Sequence, residues 1–147
     1  MTKWTCKNFD ELTNEELYKI IQLRLSVFVV EQNCPYQDCD EKDQASWHMM
    51  GWQNDQLTAY SRLIPPGIAY EDPSIGRVVT AKNVRGTRMG KELMARSVEQ
   101  AHHLFGKIPI TIGAQLYLTR FYESVGFTII SDVYLEDGIE HIKMRLG

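Results

Sequence analysis

The chain has 147 residues, of which 44% are hydrophobic and 24% are charged, and this balance excludes a disordered or membrane-spanning protein. We expect a single domain over residues 1–147 that buries its own core, and a cytoplasmic location because no targeting segment is recognisable. The net charge of −3 argues against nucleic acid as a partner, since nonspecific binding needs a basic surface.

A first helix is predicted to begin after Thr13, because Thr13 and Glu16 have the spacing of a capping box. Its core-facing stripe recurs at helical spacing and consists of Leu17, Ile20, Ile21, Arg24, Leu25 and Phe28. The segment from Glu31 to Asp43 follows, with turn formers, acids and one proline. We expect an exposed, irregular loop there.

The three cysteines, Cys6, Cys34 and Cys39, lack the spacing of a metal finger and are typical of reduced thiols. Cys34 and Cys39 together with His48 could bind a metal or form a nucleophile pair, but small buried thiols are the commoner case. We therefore predict no metal site.

Strands are predicted for the middle of the chain. Trp47 to Trp52 and Leu57 to Ile64 are joined by a hairpin-like connection, and Pro65 and Pro66 stop the second strand. A third, β-branched strand from Ile75 to Thr80 leads into a helix that begins close to Gly90. The segment is therefore predicted to form a strand, a turn and a helix.

The last third of the chain also alternates strands and a helix. A strand from Ile108 to Ala114 precedes a helix whose apolar stripe is Leu118, Phe121, Tyr122 and Val125, with Gly126 as its cap. Strands from Phe127 to Leu135 and from Ile139 to Leu146 flank the tight-turn pair Asp137 and Gly138. The predicted class is mixed α and β.

The turn between the third strand and its helix has the chemistry of an anion site. Main-chain N–H groups at a helix start favour an anion, glycines allow close approach, and arginine grips phosphate in bidentate fashion. The residues concerned are Arg85, Gly86, Arg88, Gly90 and Lys91. A nucleotide P-loop is excluded by the glycine spacing and by Glu92. The alternative is an ordinary turn with a solvated helix start.

Two segments carry a resemblance to a known family. The run Arg85-Gly86-Thr87-Arg88-Met89-Gly90 resembles the acyl-carrier loop of the GNAT superfamily of N-acetyltransferases, with Arg88 in place of the usual middle glycine. The second segment, with Gln115 for the usual Asn and Leu118 for the usual Ala, continues through Phe121, Tyr122, Gly126 and Phe127. Three blocks, VFVVEQNCPY, IGRVVTAKNVRGTRMG and VYLEDGIEHIKMRL, further resemble its ElaA-like branch.

This resemblance implies an α/β fold of the α+β kind, the GNAT fold. Its sheet is mixed, mostly antiparallel and flanked by helices, and it splays between the family's fourth and fifth strands, here Ile75 to Thr80 and Ile108 to Ala114. Acetyl-CoA would lie in the opening as a co-substrate, with no metal. The residues implied to bind it are Val78, Val79, Thr80, Arg85, Gly86, Thr87, Arg88, Met89, Gly90, Lys91, Gln115 and Tyr122.

Acetyl transfer to an amine needs three groups. A base must take a proton from the amine, because a free alkylamine is mostly ammonium at pH 7. A fixed donor, expected to be a main-chain N–H near Val79, must polarise the thioester carbonyl. A phenol can protonate the departing thiolate, and the resemblance assigns this role to Tyr122, although spacing alone favours a buried helix-face aromatic.

The general base is left open among Glu31, Glu71, His48 and His141, of which we take Glu71 and His141 as the predicted catalytic candidates. Either histidine could equally be a packing or hydrogen-bonding residue. Both would suit proton transfer near neutral pH.

Acids are concentrated in the loop expected to flank the acceptor, namely Glu31, Asp38, Asp40, Glu41 and Asp43. They indicate a cationic amine such as a polyamine, an aminoglycoside-like amine or a lysine, unless the loop is simply solvated. A noncatalytic sensor of CoA or acyl-CoA, or an interaction domain that uses its late strands, are the alternatives to an enzyme. We expect a monomer or a homodimer without a membrane partner.

Overall fold

The computed structural model describes residues 1–147 as two four-stranded β-sheets with three α-helices. The strands are β1 (Lys3–Asn8), β2 (Trp47–Gln53), β3 (Gln56–Ile64), β4 (Ser74–Thr80), β5 (Ile110–Gln115), β6 (Thr128–Ile129), β7 (Tyr134–Glu136) and β8 (Ile139–Leu146). The helices are α1 (Asn14–Arg24), α2 (Met89–Phe105) and α3 (Thr119–Ser124). None of them is long and apolar enough to cross a membrane.

The two sheets meet at β4 and β5 but do not join there. One sheet has the order β1-β2-β3-β4 and the other β5-β8-β6, with β7 also paired to β8, and every ladder is antiparallel. Between the sheets, Thr111 N–H donates to the Pro73 carbonyl at 3.0 Å, where both strands begin. Beyond that point β4 and β5 part toward Thr80 and Gln115. The predicted fold and its splay are confirmed.

Helix α1 begins as its sequence predicts. Glu16 N–H donates to the Thr13 hydroxyl at 3.0 Å, and Thr13 N–H donates to the Glu16 carboxylate at 2.9 Å. The apolar stripe continues past Arg24 as a π-helical segment, Leu25–Glu31. Ile20 is fully buried in a cluster with Met50, Leu57, Tyr60 and Val79, which fixes α1 on the first sheet.

Helix α2 connects the two sheets. It begins at Met89, one residue before the predicted Gly90, and its residues Met94 and Ala101 belong to the largest apolar cluster. That cluster also contains Ile110 and Ile112 of β5. Burial of this helix face therefore holds α2 and β5 together and leaves the start of α2 beside the opening between the sheets.

Apart from shifts of one residue at strand ends, the strands differ from the sequence prediction in three places. The edge strand β1 was not predicted, because its run KWTCKN mixes polar and apolar residues without a buried face. Strand β5 begins at Ile110 and not at Ile108, since Pro109 has no N–H for a ladder. The predicted strand from Phe127 to Leu135 is two short strands, because Lys143 N–H donates to the Ser131 hydroxyl and not to a neighbouring strand.

The prediction of an exposed loop from Glu31 to Asp43 was wrong for its second half. Asp38 and Asp43 are buried because Arg24, itself completely buried, lies between them. Arg24 Nε is 2.9 Å from Asp38, and its Nη1 is 2.7 Å from Asp43. An ion pair buried in this way needs partners for every charge, and the remaining partners come from β3 and β4.

Arg62 and Arg77 complete this buried ion network. Arg62 Nη1 is 2.7 Å from Asp40 and 2.9 Å from Asp43. Arg77 Nε is 3.0 Å from Asp38, and its Nη2 is 3.3 Å from Asp40. Three arginines, Arg24 included, thus face three aspartates, and the network ties the loop to the first sheet.

Candidate active site

A cavity of about 930 Å³ lies in the opening between the two sheets. Strand β4 lines it with Val78, Val79 and Thr80, and strand β5 with Ile112, Gly113 and Gln115. Helix α3 adds Phe121 and Tyr122. The parted strands therefore form two walls of one cavity, as the splay predicted.

Strand β4 carries a β-bulge at its cavity wall. Tyr60 pairs with Val79 and Arg62 pairs with Gly76, so that Arg77 and Val78 face a single residue of β3. Arg77 has φ of +48°, which is unusual for a residue with a side chain. A bulge takes main-chain groups out of the ladder. The main-chain groups of β4 that the bulge leaves unpaired therefore lie next to Val79, where the strand lines the cavity.

The loop before α2 presents unpaired main-chain amides. Gly86 has φ of +83°, and Arg88, the N-cap of α2, has φ of +68°. The first helical hydrogen bond runs from Glu92 N–H to the Arg88 carbonyl at 3.2 Å. The N–H groups of Met89, Gly90 and Lys91 therefore have no acceptor within the chain. This is the arrangement that binds phosphate at a helix start.

Only part of this loop reaches the cavity. Arg85 and Gly90 line it, whereas Gly86, Thr87, Arg88, Met89 and Lys91 do not. A Cβ at Gly90 would lie 3.4 Å from the Phe121 ring, which is an ordinary van der Waals distance, so the helix start packs against α3. The Thr87 hydroxyl donates to the Val84 carbonyl and stabilises the turn.

Arg85 is already paired with an acid. Its Nη1 donates to Glu31 at 2.6 Å, and its Nη2 donates to the Thr80 carbonyl at 3.3 Å. The hydrogen bond from Arg85 lowers the pKa of the Glu31 carboxyl, so that this group stays ionised. Glu31 is thus a poor candidate for the general base, because a carboxyl group with a lowered pKa is a weak proton acceptor. It lies beside the predicted anion site, since it pairs with Arg85.

Residues next to Glu31 bridge the cavity mouth as well. The side-chain amides of Gln32 and Gln115 donate to each other at 3.2 Å, and the Cys34 thiol donates to the Asp137 carbonyl at 3.4 Å. We call residues 31–34 the strap. It contacts the loop before α2, the end of β5 and the turn before β8.

Tyr122 is buried beneath the cavity with its hydroxyl free. Its ring makes edge contacts with Phe121 at 5.1 Å and Phe127 at 6.0 Å between centroids. Burial raises the pKa of the Tyr122 phenol well above its usual range, and no residue of the chain hydrogen-bonds to the hydroxyl. A protonated phenol that faces a cavity is equipped to donate a proton to a bound group.

His141 lies on β8 at the other side of the cavity. Its Nδ1 is 2.8 Å from the Ile139 carbonyl, which can only accept, so Nδ1 carries the hydrogen. In the neutral ring Nε2 then keeps its lone pair, and it lies 3.7 Å from the Glu136 carboxylate. His141 can therefore accept a proton from a group in the cavity.

The structure does not bring the other base candidates to this cavity. Glu71 is exposed and lies outside the lining residues. His48 is fully buried, with Nδ1 2.7 Å from the Tyr60 hydroxyl and Nε2 3.0 Å from the Asp43 carbonyl. Burial lowers the pKa of His48, so it is a neutral packing residue. Of the four base candidates, Glu31 and His141 line the cavity, and His141 is the one that is not paired with an arginine.

The aspartates of the loop are paired with arginines, whereas the exposed Glu41 has no arginine partner. Burial would raise the pKa values of Asp40 and Asp43, but hydrogen bonds from Arg62 and Arg24 outweigh it and hold both below their usual range. Each carboxylate is neutralised by an arginine within the fold. These pairings, which the sequence could not show, remove the loop aspartates from the predicted acidic surface, and a cationic acceptor stays a prediction.

Several cavity residues escaped the sequence analysis, among them Tyr70, Tyr134 and Lys143. Lys143 could have been found, because it follows His141 by two positions on one strand and so lies on the same face. The tyrosines come from two distant segments, and only the fold brings them together. No group of three or more His, Cys, Asp or Glu side chains is placed to hold a metal ion.

Comparisons with known proteins cover almost the whole chain. A family model described as an acetyltransferase (GNAT) domain matches residues 10–147. Protein ElaA of Escherichia coli (strain K12) is 43% identical over 146 residues, which are 98% of this chain and 95% of that protein. The crystal structure of an acyl-CoA N-acyltransferase from Pseudomonas aeruginosa has a TM-score of 0.95 at 43% identity, over 100% of both chains.

A more distant structure shares the fold alone. It is an aminoglycoside 6'-N-acetyltransferase complexed with coenzyme A, with a TM-score of 0.71 at 18% identity. The match covers 96% of this chain and 95% of that chain. The similarity therefore extends from the strands to the helices and is not limited to the cavity.

Proposed function

Because the chain belongs to the GNAT acetyltransferase family, in its ElaA-like branch, we propose that it transfers an acetyl group from acetyl-CoA to an amine. The observation that carries the proposal is the cavity between β4 and β5. Gly90, at the start of α2 with its unpaired amides, lines the cavity, and so does Tyr122, whose hydroxyl has no partner in the chain. A phosphate-bearing thioester needs these two features together.

The donor is held by its diphosphate at the loop before α2. The N–H groups of Met89, Gly90 and Lys91 and the positive end of the helix dipole favour the charge, and Arg85 adds a guanidinium. The pantetheine arm then occupies the opening between β4 and β5. Gly90 lines the cavity without a side chain, and the bulge next to Val79 takes main-chain groups of β4 out of the ladder there.

Transfer takes place by direct attack in a complex that holds both substrates. The amine nitrogen forms a bond to the acetyl carbon while His141 Nε2 takes its proton, and an N–H near Val79 stabilises the charge on the carbonyl oxygen. The carbon–sulfur bond then breaks, and the Tyr122 hydroxyl gives its proton to the sulfur. Tyr122 regains a proton from solvent, and His141 releases to solvent the proton that it took from the amine. No metal takes part in this scheme.

We also propose that residues 1–147 act as one acetyltransferase domain. The two walls of the cavity come from different sheets, and the shared apolar cluster contains residues from both sheets and from α2. Neither sheet has a complete cavity without the other. The activity should therefore be lost in one step when the chain unfolds.

The experiment is thiol release from acetyl-CoA with a panel of amines, together with calorimetry of acetyl-CoA binding. We expect binding and amine-dependent release of CoA, with Tyr122→Phe as the matched variant. A ligand at 100 times its dissociation constant should stabilise the fold by about 2.7 kcal/mol. Binding without turnover for every amine would favour a noncatalytic CoA-binding module, and absence of binding would overturn the assignment.

A further inference from the structure

The cavity face of β8 has one basic side chain without an acidic partner. His141, Lys143 and Arg145 are alternate residues of this strand and lie on the same face. Arg145 Nε is 3.2 Å from Asp72, and His141 Nε2 is 3.7 Å from Glu136. Lys143 has no carboxylate within 4.0 Å, although it lines the cavity. The ammonium group of Lys143 is therefore available to pair with a negatively charged group of a ligand.

Two phenols surround this lysine. Lys143 Nζ lies 5.6 Å from the centre of the Tyr70 ring, in a cation–π contact. Lys143 pairs with Gly113 across the ladder, and a Cβ at Gly113 would lie 2.8 Å from the hydroxyls of both Tyr70 and Tyr134. The absence of a side chain at Gly113 thus lets both hydroxyls converge next to the lysine, where they hydrogen-bond to each other and can turn to donate to a ligand.

The acids at this end of the cavity do not compete for the lysine. Asp40 is bound by Arg62 and Arg77, as part of the buried ion network. Glu136 lies beside His141 at the β7–β8 turn. A strand rises by about 3.3 Å a residue, so His141 and Lys143 are roughly 7 Å apart along β8. One small molecule can contact both.

We propose that the amine acceptor also carries a carboxylate, which pairs with Lys143 and accepts hydrogen bonds from Tyr70 and Tyr134 while the amine faces His141. This inference rests on the proposed acetyl transfer and names its substrate class. One lysine and two hydroxyls match the single charge of a carboxylate, whereas a doubly charged phosphate is usually met by arginine or by several cations. The acceptor is thus a small amino acid and not a cationic polyamine.

The test compares acceptors that differ only in the carboxylate. Glycine, β-alanine and 4-aminobutyrate are each paired with the corresponding amide, and kcat/KM is expressed per concentration of free amine. We expect at least one acid to exceed its amide by about tenfold or more, as for hydrogen bonds to a charged group. In Lys143→Met this ratio should fall to about one, whereas Lys143→Arg should keep most of it.

Lys107→Met is the matched control, since Lys107 is exposed and lies outside the cavity, and its ratio should equal that of the unmodified protein. Equal kcat/KM for acids and amides, or an acid preference that survives in Lys143→Met, would overturn the inference and leave the acetyltransferase assignment intact. Lack of CoA release with every amine would overturn both. Calorimetry of acetyl-CoA with Lys143→Met, expected to be unchanged, separates acceptor effects from donor binding.

Discussion

Arg85 donates a hydrogen bond of 2.6 Å to Glu31, across the mouth of the cavity in which a diphosphate is proposed to bind. The two residues are 54 positions apart and come from the loop before α2 and from the strap. Glu31 therefore pairs with the guanidinium group of Arg85, which the diphosphate of the donor is also proposed to bind. Glu31 is an internal competitor of the diphosphate, and its removal should be measurable.

Glu31→Gln should bind acetyl-CoA more tightly. The change removes a negative charge that competes for Arg85 and repels the incoming phosphates. Because the pair is partly exposed, we expect a gain of no more than about fivefold, the range of an exposed ion pair. Calorimetry at low salt measures it, with the exposed Glu99→Gln on α2 as control. Weaker binding in Glu31→Gln would instead mean that the strap helps to hold the donor.

The main-chain conformation at Arg88 gives a second prediction. A non-glycine residue in the left-handed region is strained by about 1 kcal/mol or more. Arg88→Gly should therefore be more stable than Arg88→Ala by about 1 kcal/mol, measured by urea unfolding. If acetyl-CoA is held mainly by amides, both variants should bind it with similar affinity. Equal stability of the two variants would contradict the strain argument.

Tyr122→Phe tests the proton donor. The substitution keeps the ring contacts with Phe121 and Phe127 and removes only the hydroxyl, which has no partner in the chain. We expect kcat to fall by about 100-fold, the lower range for loss of an acid catalyst, while acetyl-CoA affinity changes little. The measurements are steady-state kinetics and calorimetry. Equal losses in both quantities, or none in either, would count against the role.

His141→Gln tests whether His141 is the general base, because the activity of the variant should depend on the fraction of the amine that is neutral. Without a proton acceptor, the variant should turn over only amine that is already neutral. Its kcat/KM should then rise about tenfold for each pH unit below the amine pKa. The unmodified protein should show a shallower rise. Parallel pH profiles for the two proteins would exclude His141 as the base.

The buried ion network should make the fold sensitive to acid. Asp40 and Asp43 have lowered pKa values in the folded protein, so the unfolded chain binds more protons below about pH 4. Stability is therefore full above that pH and is lost as the pH falls through the folded pKa values. Urea unfolding from pH 7 to pH 3 should show this decline.

Asp43→Asn is the matched variant for that prediction. It removes a carboxylate that Arg24 and Arg62 share, and loss of one partner of a buried pair costs about 3 kcal/mol at pH 7. Its stability should also fall less steeply on acidification, because one linked proton is gone. An unchanged slope would show that other groups control the acid transition.

Local sequence signals predicted several parts of the fold. The capping box at Thr13, the Asn54 and Asp55 turn, and the Asp137 and Gly138 turn form within a few residues, so neighbouring side chains suffice to specify them. The loop before α2 belongs to the same group, because a helix start presents free amides wherever it occurs. The family resemblance then indicated which strands part.

The roles of the charged residues could not be predicted from local sequence signals. Sequence alone suggested that Asp38, Asp40 and Asp43 form an open acidic surface, and it left Glu71 and His48 as possible bases. Their true roles depend on contacts between segments that are far apart in the chain, and a composition pattern carries no information about such pairs.

The sequence by itself determined most of the local elements, the helix start with its unpaired amides and the family. Only the tertiary structure decided that Glu31 pairs with Arg85, that the loop aspartates pair with arginines, and that Lys143 has no acidic partner. The physical reason is that a charge acts through its nearest neighbours in space. Those neighbours are fixed by how the two sheets and α2 bury their apolar faces together.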